Sequence, residues 1–197
     1  MTEEGDMSAD AVPDWVRPVG GFTALDLDRL PDLPPHTELI DGGLVFVSPQ
    51  RRFRMRMVDR LNAALAACAP PQWDVAREMS VVLDDRQRPE PDVLVFDGAF
   101  EDDDSTTWYP ASVVVLVIEV VSPDSEIRDR ERKPQLYARA GIRHFWRVEE
   151  VDGRPVVYVY ELDPASRTYA LSGIHHGVLK LDVPFPIEID LDAAATV

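Results

Sequence analysis

The run Val113-Val-Val-Leu-Val-Ile-Glu-Val-Val121 constrains this chain most, because it is apolar and β-branched at nearly every position. A strand whose successive side chains are all apolar needs cover on both faces, so the run predicts a central strand with layers on either side. It is far too short to cross a membrane as a helix. Its one exception, Glu119, stands where a lone carboxylate costs several kcal/mol to bury. Glu119 is therefore expected to be paired or to hold a cation.

The remaining elements assemble around that strand. Thr23-Ala-Leu-Asp26 reads as a helix start, with Thr23 as N-cap and Asp in place of the usual Glu or Gln, and the helix stops before Pro31. Glu38 to Val47 reads as a hairpin around Asp41-Gly42-Gly43. Phe53, Met57, Leu61 and Leu65 recur every four positions and predict an amphipathic helix from Arg52 to Ala67, closed by Pro70-Pro71. Extended segments follow at Trp73–Leu83 and Asp92–Phe96, before the central run. Asp129–Ala140 has a helical pattern with Gly141 as its C-terminal cap. His144–Val148, Val156–Leu162, Thr168–Ser172 and Val178–Leu181 read as strands. This order predicts one α+β domain over residues 22–197, a mixed central sheet flanked by helices. Residues 1–21, acidic and broken by Pro13, Pro18 and Gly20-Gly21, read as a mobile arm.

Composition narrows the function classes. The hydrophobic share is 45% and the charged share 28%, as in a folded globular chain rather than a disordered one. The N-terminus lacks the basic start of a signal peptide, so a cytoplasmic protein is expected. The single cysteine, Cys68, excludes an internal disulfide and a thiolate metal cluster, and its alanine-rich surroundings read as a small buried hydrophobe. A formal net charge of -16 argues against a nucleic-acid partner. The distribution argues the other way: acids gather in the arm and at Glu101-Asp-Asp-Asp104, while arginines crowd Arg51–Arg60 and Arg128–Arg147. Each arginine cluster reads equally as a solvated helix face or a phosphate-binding surface.

Asp92 opens one strand and Glu119 ends the next long one. If those strands pair antiparallel, the two carboxylates become neighbours. Such a pair suits Mg2+ or Mn2+, which need only one or two carboxylates beside waters and substrate phosphate. Lys133 is one of only two lysines, the other 18 of the 20 basic residues being arginines. A lysine in so arginine-rich a chain points to a compact ammonium that can hold or activate a water. Bland readings stand beside these: Asp92 after Pro91 as a turn acceptor, Asp129 and Lys133 as a routine i, i+4 pair. His36, His144, His175 and His176 show no ligand spacing.

Glu38-Leu-Ile-Asp-Gly, Pro91-Asp-Val, Glu119-Val-Val-Ser-Pro, Asp129-x-x-x-Lys133-x-x-x-Tyr137 and Gly141-Ile-Arg-His-Phe-Trp together resemble the Uma-two family of restriction-endonuclease-like proteins, over roughly Phe22 to Leu191. Each motif is weak alone; their order and spacing are the specific signal. The resemblance implies the PD-(D/E)XK nuclease fold, with Asp92 and Glu119 as the acidic pair and metal ligands. It places the lysine on the following helix at Lys133, the usual position two after Glu119 being Val121. Glu38 matches a further acid of the family, as a site group or as a hairpin stabiliser. Arg54 stands where the family commonly has a histidine. The implied activity is a Mg2+-dependent endonuclease acting on DNA, RNA being the other possible substrate, as a homodimer without membrane association. The rival expectation is a non-catalytic interaction or dimerisation module, which the acidic net charge favours.

Overall fold

The structure, a computed structural model, describes residues 20–46, 50–101 and 103–192. Most of the expected N-terminal arm, the hairpin end at Val47 and Asp102 lie outside the described residues. The chain first makes a single 3-10 turn, Ala24–Asp28, in place of the expected longer helix. It is capped as the sequence indicates, with the Thr23 backbone and hydroxyl both donating to Asp26 Oδ2 at 2.7 and 2.8 Å. Then come β1 (Glu38–Ile40), β2 (Gly43–Val45), α1 (Arg52–Cys68), β3 (Trp73–Arg77), β4 (Ser80–Val82), β5 (Val93–Asp97), β6 (Trp108–Pro110) and β7 (Val114–Val120). A π-helical segment, Arg128–Arg132, runs into α2 (Lys133–Ala140), and the chain closes with β8 (His144–Val151), β9 (Arg154–Asp163), β10 (Thr168–His176), β11 (Val178–Leu181) and β12 (Ile187–Asp190).

Six strands form the main sheet in the order β10-β9-β8-β7-β5-β3, with β7 and β8 parallel and the other pairs antiparallel. All seven residues of β7 are buried, as its unbroken apolar run requires. The parallel step from β7 to β8 needs a crossover, and the π segment with α2 supplies it. Gly141, at φ +87, ends α2 in the left-handed conformation expected of its C-cap.

One face of the sheet is covered by α1, whose Met57, Val58, Leu61 and Leu65 meet Val93, Val95, Leu116 and Ile118. Cys68 is partly buried against this core. The opposite face places Val117, Leu94 and Phe145 against Tyr137 and Ile142 beside β4 and β6. The architecture is thus α+β around a mixed sheet, as expected, with three small two-stranded sheets beside the main one.

Two extended segments differ from expectation. Trp73–Leu83 is not one strand, because the chain turns at Glu78 (φ +53) and β4 leaves to pair parallel with β6. The short β12 went unforeseen, although buried Ile187 and Ile189 alternate with exposed Glu188 and Asp190, the period of a half-covered strand. Among the described residues no helix is long and apolar enough to cross a membrane.

Candidate active site

The β1–β2 turn consists of Asp41 and Gly42, both at positive φ (+54 and +73), the backbone that a two-residue hairpin turn demands and that Asp-Gly tolerates. Leu39 exchanges backbone hydrogen bonds with Arg88, Gln87 bonds Asp41, and Arg132 forks onto the Asp41 carboxylate. These ties pin the hairpin against the start of α2 and carry Glu38 inward. Asp129, Lys133 and Tyr137, four apart, fall on one face of the helical segment and turn toward Glu119 on β7.

The result is a buried cluster. Lys133 Nζ lies 2.8 Å from Glu38 Oε1, 3.0 Å from Glu119 Oε2 and 3.3 Å from Asp129 Oδ1. The Tyr137 hydroxyl donates to Glu119 Oε1 at 2.6 Å, and Glu38 Oε1 also accepts the backbone N–H of Glu90 at 2.8 Å. Glu119 and Lys133, expected together, are together; Glu38, left open between a site group and a hairpin stabiliser, contacts Lys133 from β1. Asp129 proves to be a cluster member and not merely a surface helix partner.

Asp92 reaches the same end of the sheet by another route. Val93 pairs with Ile118, so Asp92 sits beside Glu119 at the open end of the β5–β7 ladder. Its Oδ2 accepts the Val120 backbone N–H at 2.6 Å. Its Oδ1 accepts Arg54 Nε at 2.7 Å, with Arg54 Nη2 at 2.6 Å. The two carboxylates are neighbours; Arg54 of α1 contacts Asp92 and Lys133 of the crossover contacts Glu119, the two cations lining one small cavity.

Burial sets the electrostatics. It pushes the Asp92 carboxyl up to about 6, against the pull of Arg54. Glu119 rises well above the usual carboxylate range, first by burial, against the Lys133 ammonium, with Asp129, Asp92 and Glu38 adding repulsion. Burial also works against the Lys133 ammonium, yet Glu119, Glu38 and Asp129 together overcome it and hold its pKa well above the ordinary lysine value. The charged form is thereby favoured, and Lys133 donates to Glu119 at 3.0 Å.

Five carboxylates, Glu38, Glu90, Asp92, Glu119 and Asp129, stand against three cations, Arg54, Arg128 and Lys133, with His36 paired to Glu90 and counted neutral. The excess of two negative charges equals the charge of one divalent cation, or can be relieved by protons on the two raised carboxyls. A cavity of about 20 Å³, lined by Glu38, Glu119, Asp129 and Lys133, is large enough for a single water-sized occupant. Among the described residues no three His, Cys, Asp or Glu side chains form a ready metal cage, so a bound ion would rely on two carboxylates and water. The residues fit such an ion on condition that Arg54 yields an oxygen of Asp92.

Two contributors had escaped the sequence reading. Tyr137 was visible as the third member of the four-residue spacing, but its role was not. Arg54 was noticed only as a replacement, and nothing in the sequence pointed to Asp92 as its partner. His36 also reaches the rim, its Nδ1 2.5 Å from Glu90, although no spacing marked it; the other histidines lie elsewhere.

A sequence profile described as "Uma2: Putative restriction endonuclease" matches residues 25–194. The chain belongs to the Uma2 family. No curated protein matches it. Among solved structures, a "putative nuclease belonging to DUF820" from Anabaena variabilis superposes with a TM-score of 0.68 at 15% identity, covering 89% of this chain and 98% of that one. That likeness shows a shared fold, and with the family it makes the architecture restriction-endonuclease-like. NucC of E. coli in its apo form matches more loosely, with a TM-score of 0.38 at 12% identity over 64% of this chain and 79% of that one. Nuclease function in general is what the Uma2 family supports.

Proposed function

We propose that this Uma2 protein is a divalent-cation-dependent endonuclease hydrolysing phosphodiester bonds in DNA. The observation that carries this reading is the buried excess of carboxylates over cations at one end of the sheet, on a fold of the nuclease class. Asp92 and Glu119 would hold Mg2+ or Mn2+, which supplies Lewis-acid polarisation of the phosphate and a more acidic water. The chain's own groups have defined tasks. Tyr137 orients Glu119 through its 2.6 Å hydrogen bond, and Glu38 and Asp129 hold the Lys133 ammonium in place. Lys133 positions or activates the attacking water, its ammonium donating hydrogen bonds to that water or to a phosphate oxygen.

The test is cleavage of plasmid and single-stranded DNA, and of RNA, in Mg2+ or Mn2+ against EDTA, alongside calorimetric cation titration. Cation-dependent cleavage of DNA, lost in Asp92→Asn and Lys133→Met, supports the reading; absence of both cation binding and cleavage by the wild type overturns it. Cutting both strands of a duplex calls for two centres, which a homodimer would supply. Light scattering that gives only monomer at micromolar concentration removes the dimer. One observation favours a second reading, a non-catalytic interaction module: Arg54 already neutralises Asp92, doing for that carboxylate what a cation would do.

A further inference from the structure

On the α2 side of the main sheet, two clefts of about 660 and 670 Å³ share Ala138, Arg139 and Arg167, and so form one groove along α2 and the outer strands β8 to β10. Its charge is opposite to that of the chain. Acids outnumber basic residues 36 to 20 overall, but five arginines line the groove, Arg130, Arg139, Arg143, Arg147 and Arg167. Only two acids, Glu131 and Glu161, lie among them.

The arginines differ in commitment. Arg130 forks onto Glu149, and Arg147 pairs with Glu149 while lying 4.6 Å from the centroid of the Tyr158 ring. Arg139, Arg143 and Arg167 are exposed, and none has an ion pair or side-chain hydrogen bond among the described residues. Arg167 occupies a left-handed position (φ +53), which disfavours a long L side chain by about 1 kcal/mol. The floor between them is aromatic, with the rings of Tyr160 and Tyr169 5.5 and 5.4 Å from that of buried Phe145.

The groove also leads to the carboxylates. Arg130 lines both it and a cleft of about 200 Å³ whose walls carry Arg51, Arg54 and Ser122, and also Glu126, Glu149 and Glu150, two of which pair with Arg130. Arg54 and Ser122 in turn line the small cavity at Glu119 and Lys133. A chain of anionic groups laid along the arginines would therefore arrive at the candidate reaction centre.

We propose that this arginine groove, flanked by Tyr160 and Tyr169, binds the sugar–phosphate backbone of a nucleic-acid strand and guides it to the Glu119–Lys133 cluster. Uncommitted guanidiniums recognise phosphate oxygens in pairs, and aromatic faces between them accept sugars and bases of any sequence. The acidity of the whole chain does not forbid this, because at physiological ionic strength charges are screened beyond about 8 Å. Glu149 and Glu126 contact Arg130, and Glu149 also contacts Arg147, so the binding role falls to Arg139, Arg143 and Arg167, which no acid pairs among the described residues. The inference rests on the nuclease reading only for what happens at the end of the groove; binding along it stands independently.

The experiment measures fluorescence anisotropy of a labelled 20-nucleotide single strand with the full chain in EDTA, across a salt series. Three proteins are compared: wild type, R139Q/R143Q/R167Q and K180Q, each checked by thermal melting. The wild type should bind with affinity falling linearly in log salt. The triple variant should lose roughly tenfold or more and its salt slope should flatten by about two, since each single-strand phosphate contact contributes about 0.7. K180Q, which removes an exposed charge outside the groove and the site, should bind like the wild type. No binding by the wild type, or a triple variant that melts and binds like it, overturns the groove. Wild-type binding through the groove without cleavage in Mg2+ would overturn the nuclease reading and leave the groove standing.

Discussion

Asp92 and Glu119 sit side by side at the end of one β ladder, yet Asp92 is clamped by a guanidinium from α1 and Glu119 is held by an ammonium from α2. Arg54 brings two nitrogens to one Asp92 oxygen while the Val120 N–H takes the other, a fixed fork that saturates the carboxylate. Lys133 is a compact charge shared among three acids, and the second donor to Glu119 is the neutral Tyr137 hydroxyl, so this carboxylate is hydrogen-bonded on both oxygens but has only a share of one positive charge. The difference teaches that burial alone does not make a carboxylate available. Glu119 belongs to a cluster short of positive charge, whereas Asp92 must first be released.

The sharpest way to break this comparison is to remove the shared cation. Lys133→Met leaves Glu38, Glu119 and Asp129 buried without a counter-charge and should cost about 3–5 kcal/mol of unfolding free energy in EDTA. Denaturant unfolding with and without Mg2+ checks it. Partial recovery with the ion is expected, and an unchanged midpoint in EDTA would show that the cluster is already neutral through protons.

The next effect comes from pH. Asp92 has a folded-state pKa of about 6 against an ordinary value of 3.8, so the folded state binds this proton more tightly than the unfolded state does. The contribution is fully present below pH 4 and is lost as pH rises through 6. It amounts to about 3 kcal/mol for this group. Asp92→Asn should flatten that part of the stability profile measured from pH 4 to 7, and an equally steep profile in the variant would assign the loss to other groups. Because a cation displaces the same protons, Mg2+ binding should release protons and tighten with rising pH.

Arg54→Ala addresses the Asp92 half directly. At pH 8.5 it should bind Mg2+ about tenfold more tightly than the wild type, close to 1.4 kcal/mol, because the guanidinium no longer contests the carboxylate. Equal affinities in calorimetry would mean that Arg54 and the ion do not compete. The smallest change is Tyr137→Phe, which removes one buried hydrogen bond to Glu119 and should cost about 1–2 kcal/mol of stability with the fold intact. A larger loss would make Tyr137 a packing keystone.

Much of this was readable in the chain. An apolar run carrying one acid can only be a doubly covered strand with a partnered carboxylate, and β7 with Glu119 is that. The Asp-Gly turn and the cap at Gly141 were local and legible for the same reason: backbone at positive φ restricts which residues fit. The four-residue spacing of Asp129, Lys133 and Tyr137 placed them on one face without saying what they would meet. Other features had no local signature. Glu78 turns the chain so that β4 leaves the main sheet, and that choice depends on β6, a partner about thirty residues away. Arg54 looks like any other arginine on the polar stripe of α1 until the packing of α1 on the sheet aims it at Asp92. The sequence by itself determined which residues must be buried and which of them carry charge, because desolvation acts on each residue's own chemistry. Only the tertiary structure decided which cation each carboxylate received, because pairing depends on the distance and direction between groups that the chain does not place next to each other.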